Sequence, residues 1–242
     1  MNFFDLPVLS ALLVAATAGL AALGTVVTPG GAIVLVTIAV RAALIPVGIS
    51  LARAERARRR LAPRLAELQK RWSRNPERLR RETMALYAAE KVSPFAGCLP
   101  ALAQAPVLTL VYAAFASPSV AGAPNALLET TFFGAPLGRH IADLAAGITP
   151  SDLVFVVLIV ALGVVAYFAR RAALRAAALS PAPTRPAAGQ AALLARIAGV
   201  APFITVVAAL FVPLAATLYL AVSSAWSLGE RAILRRLVTN TA

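Results

Sequence analysis

Residues 31–50 read GAIVLVTIAVRAALIPVGIS, an apolar stretch with one charged side chain, Arg41, near its middle. A helix of about 20 predominantly apolar residues is what ~30 Å of bilayer hydrocarbon requires. Three more stretches read the same way: 93–116, 152–169 and 196–228. The last is too long for one crossing. Pro213 lies near its middle and cannot donate a helical hydrogen bond, so two short helices joined by a tight turn are expected there. The expected fold class is an all-α integral membrane protein with five crossings.

Composition agrees. The 242 residues are 60% hydrophobic and 14% charged, with a mean hydropathy of +0.80. Soluble domains average roughly half apolar and a quarter charged, and a soluble fold of this length has no place for so much apolar surface. Cys98 is the single cysteine and His140 the single histidine. Together they exclude an internal disulfide, a multi-cysteine metal site and a two-histidine zinc motif. No cofactor or metal is expected.

The charges are clustered. Thirteen basic residues fall in 53–91, five in 170–196 and three in the tail (Arg231, Arg235 and Arg236), leaving Arg41 and Arg139. Basic clusters separated by apolar stretches follow the positive-inside pattern, which puts all three clusters on the cytoplasmic side. Five crossings do the same by parity. The resulting segments are a cytoplasmic hairpin at 52–92, an extracytoplasmic loop at 117–151, a cytoplasmic linker at 170–195 and a cytoplasmic tail at 229–242. Residues 1–30 form an N-terminal helix that either lies along the outer interface or spans. It ends at the break Thr28-Pro29-Gly30-Gly31.

Within the hairpin, Leu61, Leu65, Leu68 and Trp72 recur at helical spacing, as do Leu79, Leu86 and Tyr87. Asn75 suits an N-cap and Pro76 a first helical turn, so two helices joined by a short turn are expected. Pro63 is expected to bend the first. Arg58, Arg59, Arg60, Arg71, Arg80 and Arg81 make this hairpin either a topology signal or a docking surface for anionic partners, including anionic lipids and ribosomal RNA. No base-reading motif is present, so sequence-specific nucleic-acid binding is not expected. The run Ser180-Pro181-Ala182-Pro183-Thr184-Arg185-Pro186 reads as a flexible linker.

Arg41 is the unusual residue. A mid-helix arginine costs about 2.5–3.5 kcal/mol on insertion scales. No Asp or Glu falls inside an expected span; Asp152 and Glu230 stand at span ends. Water or a partner from elsewhere is therefore expected to meet its charge. Thr37 lies one turn before it, Pro46 loosens the helix below it, and Gln104 sits between Pro100 and Pro106. Tyr219, Ser223 and Trp226 share one face of the last span. These groups line an expected hydrophilic pocket, bounded by proline-broken helices whose irregular backbone can be solvated.

The residues resemble the YidC-type membrane protein insertases and their mitochondrial and chloroplast relatives, from about Gly31 to Leu237. The resemblance rests on Ile38-Ala39-Val40-Arg41 with Pro46, Leu61-Ala62-Pro63, Leu86-Tyr87, Gly97-Cys98-Leu99-Pro100 followed by Gln104 and Pro106, then Pro202, Pro213, Leu218-Tyr219 and Trp226. It implies five core transmembrane helices around a hydrophilic groove open to the cytoplasm and the lipid, with Arg41 in it. It also implies a bacterial plasma-membrane location, nascent membrane-protein clients, and the ribosome and Sec translocon as further partners. Glu230-Arg231 and Leu220 depart from the Gln-Gln pair and the aromatic usual in the family.

The function expected is an insertase, not an enzyme, moving short polar client segments across the membrane and apolar ones into it. The alternative is a small secondary transporter binding an anion at Arg41, since transporters also use broken helices at mid-membrane. An intramembrane protease is disfavoured because the spans hold neither an Asp pair nor a Ser/His dyad. A structural anchor without translocation activity is the remaining reading.

Overall fold

The computed structural model describes residues 7–90, 113–114, 119–120, 123–147, 149–178 and 185–239. Its helices are α1 (Pro7–Val26), α2 (Pro29–Ala43), α3 (Ile45–Arg71), α4 (Pro76–Ala89), α5 (Leu153–Ala178), α6 (Arg185–Ala209) and α7 (Leu214–Thr239). Among the described residues between α4 and α5 are two short antiparallel hairpins, β1 (Ser119–Val120) with β2 (Ala123–Pro124) and β3 (Thr131–Phe132) with β4 (Ala135–Pro136), and three 3-10 turns. Apart from these short hairpins and turns, the described residues are mainly α-helical. Among the described residues, Pro150–Arg175 is long and apolar enough to cross a bilayer, while Leu13–Val26 and Pro29–Ala43 pass that test as a pair bent by 118°.

The chain divides into two units. The first comprises Met1–Leu44, Ala103–Ala166 and Phe203–Leu228. Its core gathers Ile33, Leu127, Leu137, Phe155, Leu214, Leu218 and Tyr219, all buried. Every residue from Pro213 to Tyr219 is buried, and a helix apolar all round, with Ala215 and Ala216 among its small residues, can be enclosed in this way. The first N–H groups of a helix lack intrahelical acceptors. Here Leu214 N donates to Arg139 O at 2.9 Å and Ala215 N to Leu137 O at 3.0 Å. Residues 117–151 thus do more than connect: they cap α7 and contribute Leu127, Ala135 and Leu137 to the core.

At the α1–α2 break, Thr28 Oγ1 accepts from Gly31 N at 3.1 Å and Pro29 fills the first turn of α2. Gly30 is required there. A Cβ at that position would overlap the Phe132 ring. Just before α5, Asp152 is 2% exposed. Its Oδ2 accepts from Thr149 N at 2.6 Å and from Thr149 Oγ1 at 2.8 Å, and its Oδ1 lies 3.2 Å from Arg139 Nη1.

The second unit comprises Ile45–Leu102, Tyr167–Pro202 and Gly229–Ala242. In it α3 and α4 pack as a helical hairpin. Asn75 Oδ1 accepts from Arg78 N at 3.0 Å, with Pro76 in the first turn of α4. The Trp72 ring lies under the guanidinium of Arg78, 3.9 Å from its centroid, and 5.5 Å from that of Arg71. Arg64 Nη1 pairs with Glu90 Oε1 at 2.6 Å on the surface. Gly48 faces Glu230, whose carboxylate occupies the place a Cβ would take.

The helices depart from the sequence reading in two places. The apolar stretch 31–50 is not one helix: α2 ends at Ala43, Leu44 caps it, and Pro46 stands in the first turn of α3. A proline N cannot reach back to the carbonyl of Ala42, so the break falls where that bond is missing. Pro63 stands inside α3, as the sequence reading placed it, and the helix runs on to Arg71. The linker expected at 170–195 is largely helix, because α5 continues to Ala178 and α6 begins at Arg185. Alanine and arginine are strong helix formers and override the loop signal on both sides of the Pro-rich run. Residues 179–184 lie outside the described set.

Candidate functional site: a polar cluster around Arg41

Thr37 and Arg41 stand one turn apart on α2, and Tyr219, Ser223 and Trp226 follow at spacings of four and three on α7. Such spacings place side chains on one face of each helix. The two faces meet in the first unit. Arg41 Nε donates to Ser223 Oγ at 3.1 Å, and Arg41 Nη2 donates to the same oxygen. A hydroxyl oxygen has two acceptor lone pairs, so Ser223 can take both N–H groups and keep its own O–H to donate. Hydrogen bonds to charged groups contribute about 1.5–3 kcal/mol, which offsets a good part of the cost of placing a guanidinium between apolar helices.

The cluster is graded in depth. Thr37, Ser223 and Tyr219 are buried, while Arg41 and Trp226 are half-buried. Thr37 Oγ1 donates to Ile33 O at 2.6 Å on its own helix, a local bond typical of threonine in helices. Ser227 Oγ donates to Ser223 O at 2.9 Å. Its i+4 relation to Ser223 was available in the sequence but passed over, because Ser-to-backbone bonds in helices carry no signature of their own.

Ser223, which the sequence reading put in the same pocket as Arg41, is joined to it by hydrogen bonds across 182 residues, and its hydroxyl is an acceptor without a counter-charge. The direct pairing depends on which helix faces meet.

The remaining predicted residues are distributed as follows. Gln104, Gly97, Cys98, Pro100 and Pro106 lie outside the described residues. Pro213 is buried in the turn between α6 and α7, where its carbonyl accepts from Thr217 N at 3.0 Å and from Thr217 Oγ1 at 3.3 Å. Pro46 is exposed at the start of α3. Arg60, Arg71, Arg80 and Arg81 are exposed on the hairpin. Arg58 and Arg59 lie on α3, with side chains outside the described set. Among the described residues, no group of three or more His, Cys, Asp or Glu side chains could hold a metal ion.

A family model described as the 60Kd inner membrane protein matches residues 23–241. The chain belongs to the 60Kd inner membrane protein family. Within that family it is similar to the membrane protein insertase YidC of Clostridium perfringens, 40% identical over 83 residues, which cover 34% of this chain and 35% of the relative. It is also similar to YidC of Dechloromonas aromatica, 41% identical over 83 residues, covering 34% of this chain and 15% of that protein. YidC of Burkholderia vietnamiensis is 36% identical over 102 residues, covering 42% of this chain and 18% of the relative. The aligned stretches thus span about a third or less of these relatives' own lengths. Membership places this chain among bacterial membrane proteins.

Proposed function

We propose that this chain is a membrane protein insertase that works without a covalent step. It would carry short polar segments of nascent membrane proteins across the bilayer and release their apolar segments into it. The observation that carries this reading is a guanidinium held in place between two apolar helices by Ser223, in a chain of the 60Kd inner membrane protein family.

The core in this reading has five crossings around a cytoplasm-open hydrophilic groove lined by Arg41, Thr37, Gln104, Tyr219, Ser223 and Trp226. A polar client tail faces ~30 Å of hydrocarbon. A groove reaching partway shortens the dry path, and a fixed cation at its end draws acidic client residues inward. Two unit charges 4 Å apart attract by about 1 kcal/mol in water and about 4 kcal/mol at an effective dielectric near 20. Transfer of the apolar segment to lipid and the membrane potential supply the drive. The arginine-rich hairpin captures clients or the ribosome at an anionic lipid surface, with the basic loops and tail in the cytoplasm. The Sec translocon is a further partner in this scheme.

The test compares Arg41→Ala and Arg41→Lys in vesicles, using one client with an acidic tail and one with an uncharged tail. Arg41→Ala should slow insertion of the acidic-tailed client several-fold while sparing the other, and Arg41→Lys should retain part of the rate. Parental rates for Arg41→Ala with both clients would remove the electrostatic role.

A further inference from the structure

A cavity in the first unit does not contain Arg41. It is an open cavity of about 430 Å³ between α1, the start of α2 and residues 124–130. Val14, Ala18, Leu20 and Ala21 of α1 form one wall, and Pro124 and Leu127 contribute to the other.

Polar side chains also line it, but their hydroxyl protons are already donated to backbone carbonyls. Thr17 Oγ1 donates to Leu13 O at 3.0 Å, Thr25 Oγ1 to Ala22 O at 2.7 Å and Thr130 Oγ1 to Leu127 O at 2.7 Å. Asn125 Nδ2 donates to Ala114 O at 2.5 Å, and its Oδ1 accepts from Leu127 N at 3.2 Å. A water needs two to four polar partners to occupy a cavity, and an apolar void of about 150 Å³ stays dry and takes up benzene. The present cavity is nearly three times that size, enough for a flexible chain of roughly a dozen carbons or more.

The surroundings indicate which apolar molecule enters. Pro7–Val26 carries no charged residue, yet Val14 is 40% and Val26 82% exposed. In a membrane protein, such a surface is covered by lipid. The cavity wall is a face of this same helix and the cavity is open, so it continues the lipid-facing surface inward.

We propose that this cavity binds one acyl chain of a membrane phospholipid, with the chain lying against Ala18 and Ala21 of α1 and against Leu127. The site is separate from the Arg41 cluster and does not depend on the insertase reading.

The experiment places the full chain in vesicles of phosphatidylethanolamine and phosphatidylglycerol. A trace of the phosphatidylglycerol carries a diazirine on one acyl chain. After irradiation, adducts are located by mass spectrometry, with the exposed α5 residues Val156, Val160 and Val164 as the bulk-lipid reference. Labelling at Val14, Ala18, Ala21 or Leu127 should exceed that reference several-fold. It should fall to the reference level in Ala18→Leu and Ala21→Leu, whose added methyls fill the space. Labelling of the parental chain no higher at the cavity than on α5 would overturn the proposal, whatever the variants do. So would chemical crosslinks joining residues 1–6, or a client segment, to the cavity wall in place of lipid adducts. Excess labelling that persists in a variant with an unchanged α5 pattern would overturn it as well.

Discussion

Ser223 on α7 accepts hydrogen bonds from both Nε and Nη2 of Arg41 on α2, the Nε contact being 3.1 Å long. The pair couples two helices of the first unit and holds the one charged side chain of α2 in a single orientation. A guanidinium is a planar fork, so bonds through two of its nitrogens restrict both its direction and its rotation.

Ser223→Ala removes an oxygen that accepts from two N–H groups of a charged side chain. The expected cost is about 1.5–3 kcal/mol in thermal unfolding of the full chain. Insertion of an acidic-tailed client should fall between the rates of the parent and Arg41→Ala. Ser223→Thr, which retains the hydroxyl, should restore most of both. A Ser223→Ala protein with parental stability and parental insertion would show that the bond is dispensable.

Gly30→Ala places a methyl where the Phe132 ring lies. Overpacking of this kind costs about 1–3 kcal/mol, so the midpoint of thermal unfolding should drop. Adding Phe132→Leu should recover part of the loss, because the smaller side chain can yield. Additive effects of the two changes would mean that the ring and the glycine do not interact.

Arg139→Ala leaves Asp152, 2% exposed, without the guanidinium 3.2 Å away. Removing one partner of a buried pair costs about 3–5 kcal/mol. Here Thr149 still donates twice to Oδ2, which lowers the expected loss to about 1–3 kcal/mol, the penalty for one unsatisfied buried group. Thermal unfolding checks the value, and Arg139→Lys should recover part of it. No loss in Arg139→Ala would assign the hold on α5 to Thr149 alone.

In the hairpin, Asn75→Ala should lower stability by about 1 kcal/mol through loss of the cap on α4. Glu90→Ala breaks the 2.6 Å contact to Arg64, whose side chains are 64% and 41% exposed, and should change stability by no more than about 1 kcal/mol. Hydrogen exchange across 45–90 distinguishes the two. A larger effect from Glu90→Ala than from Asn75→Ala would reverse this ranking.

Deleting residues 53–91 should reduce client capture in vesicles while the remaining chain still accumulates in the membrane. Insertion at the parental rate would leave the arginine clusters with a topological role only.

Local features of the fold were legible because local chemistry produces them. The breaks at Thr28-Pro29 and Asn75-Pro76 follow from side chains that bond within three residues of themselves, together with prolines suited to a first turn. Helix over 170–178 and from 185 is not legible locally, because the prolines of 180–186 signal a loop while the alanine-rich flanks favour helix. For the candidate site, residue types and helix faces were legible, while the partner of Arg41 was not.

By itself, then, the order of residues determined a helical membrane chain, its breaks at Thr28-Pro29 and Asn75-Pro76, and a single arginine in the apolar stretch 31–50. Periodicity, capping and transfer free energy act over a few residues and need no knowledge of the rest of the chain. Only the tertiary structure decided that Ser223 receives Arg41, that carbonyls of Leu137 and Arg139 cap α7, and that Phe132 closes over Gly30. Each of these contacts joins residues roughly 75 to 180 positions apart in the chain. They exist because particular helix faces pack together, and the energy of that packing is spread over the whole core rather than written in any one segment.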